Sequence, residues 1–148
     1  MTVEPRERQN LALLCFYPSR AMEARLLAAM SDAGYDDITL AQARIAARIG
    51  PRGTRLTDLA EQALVTKQTA GHLVDQLERA GYVRRVPDPT DARARLVQMA
   101  ERGQELVALA RKVESQVERE WTAHLGEKAT AQLRAALERL REITDPYA

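Results

Sequence analysis

Apolar residues recur every three to four positions along most of this chain, and this helical period gives way to alternation by two only around residues 82–99. Residues 4–33 are rich in helix formers; Tyr17-Pro18-Ser19 predicts a break there, with Ser19 capping a helix over 20–30 and Gly34 ending it. Thr39 is placed to cap a second helix over 40–49, which Gly50, Pro51 and Gly53 terminate. Thr57 and Thr66 then predict the starts of two short helices separated by Ala63-Leu64-Val65. The first carries Asp58 in its opening turn and turns Leu59 and Ala60 inward; the second places Ala70, Leu73, Val74 and Leu77 on one stripe and stops at Gly81. Alternation over 82–86 and 94–99 around a turn at 87–91 predicts a β-hairpin. A long helix over 100–125 follows, with Leu106, Ala110, Val113, Val117 and Trp121 on its stripe, and a last helix over 127–143 carries Leu133, Leu137, Leu140 and Ile143.

The face opposite the apolar stripe of the fourth helix presents Gln68, Thr69, His72 and Gln76, with Lys67 near the start. These are hydrogen-bonding side chains arranged to meet a polar partner. Charge sharpens the picture, because a formal net charge of +1 hides an uneven distribution. Residues 38–99 hold ten basic against six acidic side chains and are +4, whereas the two ends together are −3. That suits a central DNA-facing module flanked by helices with another task.

Composition mainly excludes. At 148 residues, 45% hydrophobic and 29% charged, the chain is long enough for one core and too short for a multidomain enzyme. The single Cys15 forms no internal disulfide, and with only His72 and His124 beside it no structural zinc site has enough ligands, so no metal or cofactor is expected. Glu4, Arg6, Glu7 and Arg8 precede the short apolar run at 11–17, which Pro18 interrupts; it resembles neither a signal peptide nor a membrane span, and a cytoplasmic location is expected. Neither a phosphate-binding glycine loop nor a nucleophile with partners is visible, so the chain is not read as an enzyme.

Helix, tight turn, helix, then an arginine-bearing hairpin is the layout of a winged helix-turn-helix. Residues 39–103 closely resemble the MarR family of transcription regulators. The matching residues are Leu59-Ala60 in the first helix of the motif, Leu77-Glu-Arg-Ala-Gly-Tyr-Val83 at the end of the recognition helix, and the wing Asp88-Pro-Thr-Asp-Ala-Arg93, ending at Gly103. The resemblance implies a mainly α fold of the α+β type. In it a winged DNA-binding region, 39–99, sits between helical dimerisation elements, 1–38 and 100–148. It also implies a homodimeric repressor acting on double-stranded DNA at a pseudo-palindromic operator, with binding modulated by a small-molecule effector. One departure is the turn, where Ala63-Leu64-Val65 stands in place of the usual glycine; a left-handed residue there costs roughly 1 kcal/mol, or else the turn is longer.

Position assigns roles on that basis. Thr66, Lys67, Gln68, Thr69 and His72 lie in the first turns of the recognition helix, where base edges come within reach, and Gln68 is suited to adenine. Arg93, near the wing tip, is the candidate for the minor groove, braced by Asp91; Arg84, Arg85 and Arg95 would contact phosphates. Two other readings remain. A winged-helix module that binds protein instead of DNA would not need these arginines. An oxidant sensor would use Cys15, which is similar in place to the reactive cysteine of one branch of the family. Pro18 shifts that register, however, and the second helix around Thr39 to Arg44 has no tyrosine to support a sulfenate, so Cys15 is expected to be buried and inert. No effector-pocket residue is assigned.

Overall fold

The computed structural model describes residues 8–147 and contains six α-helices and one two-stranded antiparallel sheet. Residues 1–7 and 148, which fall at the outer ends of the two expected dimerisation elements, lie outside the described residues. In order the elements are α1 (Leu11–Asp32), α2 (Leu40–Ala46), α3 (Leu56–Gln62), α4 (Lys67–Arg79), β1 (Val83–Asp88), β2 (Asp91–Met99), α5 (Glu101–Leu125) and α6 (Glu127–Thr144). They fall into two compact units, one through Arg111 and one from Lys112. No described helix is long and apolar enough to cross a membrane.

The first unit is built around one core. Leu59 and Ala60 of α3, Ala70, Leu73, Val74 and Leu77 of α4, Ile45 and Ala46 of α2, and Tyr82, Val83 and Val97 of the hairpin are all buried in it. Met30 of α1, Ile38 and Leu106 of α5 enter the same cluster, so the ends of both flanking helices pack into the winged region. The α4 stripe predicted from the sequence is the stripe that is buried. Where α5 leaves the sheet, Gly103 allows a very close approach: a Cβ there would stand 2.1 Å from the Tyr82 carbonyl oxygen, so no larger residue fits without moving backbone. In the second unit, α6 has no buried residue, and Leu133, Leu137, Leu140 and Ile143 are exposed.

Several boundaries differ from the sequence-based expectation, each for a local reason. The break at Pro18 does not occur. Helix α1 runs through it for 22 residues; Asn10 caps the start by accepting from Leu13 N–H at 2.8 Å, and proline removes only one backbone bond from that span. Ser19 is therefore interior and caps nothing. Helix α2 stops at Ala46, after which Arg48 and Ile49 bond back three residues, to Ile45 and Ala46, as a tightened last turn. Helix α3 begins at Leu56 with Arg55 at its N-cap and no side-chain cap bond, so Thr57 is not the cap. Arg55 sends its side chain elsewhere, to Asp88.

The turn after α3 is not lengthened. Leu64 takes the left-handed conformation, φ 56°, while Leu64 N–H bonds to Glu61 O and Val65 N–H to Ala60 O, closing the α3 terminus with the pair of bonds that usually accompanies a glycine. Thr39 and Thr66 cap their helices as predicted, and Thr39 forms a reciprocal box with Gln42. The sheet also gains a bridge invisible to the alternation pattern: Thr54 and Val97 exchange both backbone bonds, at 3.0 and 2.8 Å, tying the segment before α3 to the wing.

Candidate nucleic-acid interface

The two faces of α4 are chemically opposite. Its buried stripe fixes the helix on the core, and Lys67, Gln68, Thr69 and His72 are all exposed on the other side. The Thr66 hydroxyl accepts from Thr69 N–H at 3.0 Å and lies 2.9 Å from the Thr69 hydroxyl, so these two expected site residues first of all order the opening turn. Gln76, half-buried, accepts from Gln42 Nε2 at 2.9 Å and stands 3.1 Å from His72 Nε2. Gln42 is itself buried, and composition gave no reason to single it out; the Thr39-x-x-Gln42 spacing was the signal that could have found it.

The wing is held by a pair that sequence reasoning missed. Arg55 donates to Asp88 through Nε at 2.9 Å and Nη2 at 2.7 Å, and Asp88 also accepts from the backbone N–H and hydroxyl of Thr90 at 2.8 and 2.7 Å. With the Thr90 bonds as the largest cause and Arg55 next, the Asp88 carboxyl is pushed down to about 2. Asp88 is one of two buried polar side chains among the described residues. It sits where the strand register shifts, between Pro87 and Asp88, so the wing bends at a point pinned to the start of α3.

Arg84, Arg93 and Arg95 are exposed on the hairpin. Asp91 accepts from the Arg93 backbone N–H at 3.0 Å, and its other oxygen is 4.0 Å from Arg55 Nη2. It braces the turn backbone, and the expected brace on the Arg93 guanidinium does not form among the described residues. Arg84 reaches only a long contact, 3.4 Å, with Gln98. Arg85 differs from its neighbours: its guanidinium pairs with Asp75 at 2.8 Å and Glu78 at 3.0 Å, both on α4, so it fastens the base of the wing to the recognition helix.

A second missed cluster stands behind the site. Arg102, at the start of α5, donates to both Asp37 oxygens at 2.8 and 3.1 Å and to the Ala80 carbonyl at 2.7 Å, and lies 4.3 Å from the Tyr82 ring centre. The Tyr82 hydroxyl donates to Asp37, and Tyr35 donates to Glu105 at 3.1 Å. Arg102 first, then Tyr82, lowers the Asp37 carboxyl, while burial and then Asp37 raise the Tyr82 phenol. The cluster joins the loop before α2, the end of α4 and the start of α5, and so fixes the C-terminal end of α4. Cys15, expected to be buried, is exposed, as are Leu11, Leu14 and Phe16 around it, because no described element covers the first turns of α1.

A helix pair with a tight turn, the second helix showing a polar outer face, followed by an antiparallel wing, defines a winged helix-turn-helix protein. Residues 36–94 match the MarR family. The chain is 31% identical to the transcriptional regulator HosA of Escherichia coli O111:H- over 90 residues, 60% of this chain and 67% of that protein. Among solved structures, apo MarR from E. coli superposes with a TM-score of 0.70 at 23% identity, covering 91% of this chain and 98% of that one. A MepR mutant of S. aureus, bound to an oligodeoxyribonucleotide, superposes at 0.58 with 21% identity over 91% and 98%. This chain belongs to the MarR family: it is a transcription regulator and not an enzyme.

Proposed function

We propose that this regulator is a cytoplasmic repressor that binds double-stranded DNA as a homodimer at a pseudo-palindromic operator, under the control of a small-molecule effector. The observation that carries DNA binding is the two-sided α4, buried through Ala70, Leu73, Val74 and Leu77 while Lys67, Gln68, Thr69 and His72 face outward beside a wing with exposed Arg84, Arg93 and Arg95. In this reading Lys67, Gln68, Thr69 and His72 meet base edges in the major groove, with Thr66 ordering their turn. Arg93 enters the minor groove, Arg84 and Arg95 contact phosphates, and Arg85 holds the wing to α4. The MepR mutant with oligonucleotide bound supports the assignment by shared fold. A second copy would cover the exposed Leu133, Leu137, Leu140 and Ile143 of α6 and the exposed start of α1.

The deciding experiment is fluorescence anisotropy with a duplex selected from a random library, titrated against salt. Binding whose log affinity falls with log salt at a slope of roughly −0.9 per phosphate neutralised is expected. Failure to bind any duplex at low salt overturns the proposal and leaves a protein-binding winged module.

A further inference from the structure

The polar face of α4 is wired to the interior through a hydrogen-bond chain whose polarity has only one solution. It starts at the Thr39 backbone N–H, which donates to Gln42 Oε1 at 3.0 Å. A backbone N–H cannot act as an acceptor, so the carboxamide of Gln42 is oriented by chemistry: its oxygen faces Thr39 and its NH2 faces away. That NH2 meets Gln76 at 2.9 Å, which obliges Gln76 to present its oxygen there. The NH2 of Gln76 is then what faces His72 Nε2, 3.1 Å away. Two donors cannot share that contact, so His72 Nε2 carries a lone pair and the ring proton of the neutral imidazole sits on Nδ1.

We propose that the Thr39–Gln42–Gln76 relay fixes the tautomer of His72 and makes it a hydrogen-bond donor that reads an acceptor on a base edge. The inference rests on the DNA-binding reading of α4. His72 is exposed, and with Nε2 engaged Nδ1 is the nitrogen left for an outside partner. An Nδ1–H suits guanine O6 or N7, adenine N7 or thymine O4, and rejects the amino groups of cytosine and adenine. Gln42 and Gln76 are then positioning residues: buried or half-buried, they determine which bases His72 accepts.

One isosteric change tests the wiring. In Gln42→Glu the carboxylate accepts from both Thr39 and Gln76, so Gln76 turns its oxygen toward His72 and the ring proton moves to Nε2. Gln76→Glu, at a half-exposed position, imposes the same tautomer directly and serves should the buried substitution fail to fold. The readout is the pair of imidazole nitrogen shifts in a long-range proton–nitrogen NMR spectrum of the full-length protein without DNA, at mildly alkaline pH where an ordinary histidine is neutral. His124→Gln assigns the other histidine, since the chain has two.

Nδ1–H in wild type and Nε2–H in the variants is the expected result, together with a change of about three- to tenfold in preference at one base pair of each selected half-site in Gln42→Glu. Nε2–H in wild type, or an unchanged tautomer in both variants, overturns the relay. A reversed tautomer with unaltered base preference overturns the role in reading. Absence of binding to any duplex overturns the DNA-binding reading, and with it the role in reading, while the tautomer stands or falls by the spectrum.

Discussion

Leu64→Gly should make this protein more stable, although it deletes a large apolar side chain. Leu64 holds φ 56° in the turn before α4 and is 92% exposed, so its side chain contributes almost no burial to lose. An L-residue in that conformation costs roughly 1–2 kcal/mol, a penalty glycine does not carry. Against this, glycine gives the unfolded chain extra freedom, worth about 0.5–1 kcal/mol. The net gain is about 0.5–1 kcal/mol, which for a chain of this size raises the melting temperature by about 1–4 °C. Both backbone bonds of the turn, Leu64 to Glu61 and Val65 to Ala60, survive the change. Leu64→Ala separates the two effects, because it removes the exposed side chain beyond Cβ and keeps the Cβ that strains this φ. The assay is urea unfolding of wild type and both variants at one protomer concentration, with the alanine variant expected within about 0.5 kcal/mol of wild type. If the glycine variant is no more stable than the alanine variant, the left-handed Leu64 is not strained and the reasoning fails.

Arg93→Ala should weaken operator binding about tenfold or more and lower the salt slope by roughly one, with the melting curve almost unchanged, because the exposed side chain supports no core; equal affinity in a salt titration would remove the wing from the interface. Asp88 makes stability pH-dependent at the acid end. Its folded value of about 2 lies below the unfolded 3.8, so its contribution is complete above the unfolded value and drains away as pH falls through that interval. Urea midpoints of Asp88→Asn measured down to acid pH should therefore lack part of the fall that wild type shows. Leu137→Glu combined with Leu140→Glu places charge on the exposed α6 stripe and should abolish dimerisation in sedimentation; a wild type that is already monomeric at micromolar concentration contradicts the homodimer.

The helices, the hairpin and the orientation of α4 could be read in the sequence because each rests on a local signal. Ala70, Leu73, Val74 and Leu77 repeat on one face, Thr39 and Thr66 precede their helices, and Gly81 takes φ 83° after α4. The exposed interface candidates follow once that stripe is known, since the opposite face is determined by the helical period. The supporting pairs could not be read, because Arg55 and Asp88 are 33 residues apart, Tyr82 and Asp37 are 45, and Arg102 and Asp37 are 65. Periodicity carries no information at those separations. Pro18 misled for a different reason: its local penalty is real, but a helix of 22 residues absorbs one missing bond.

The close approach at Gly103 has a reach beyond its own contact. Each residue of a helix advances its face by about 100°, so whatever fixes one position fixes the azimuth of all that follow. Because only a residue without a side chain seats against the Tyr82 carbonyl, Gly103 acts as a keyway that sets the rotational phase of α5 as far as it runs in the first unit. From that phase Leu106, three positions beyond the glycine, turns into the core, where it is 4% exposed. A single inserted residue between them would therefore not be a local defect: with the keyway still seated, it would swing Leu106 through more than a quarter turn and out of the core.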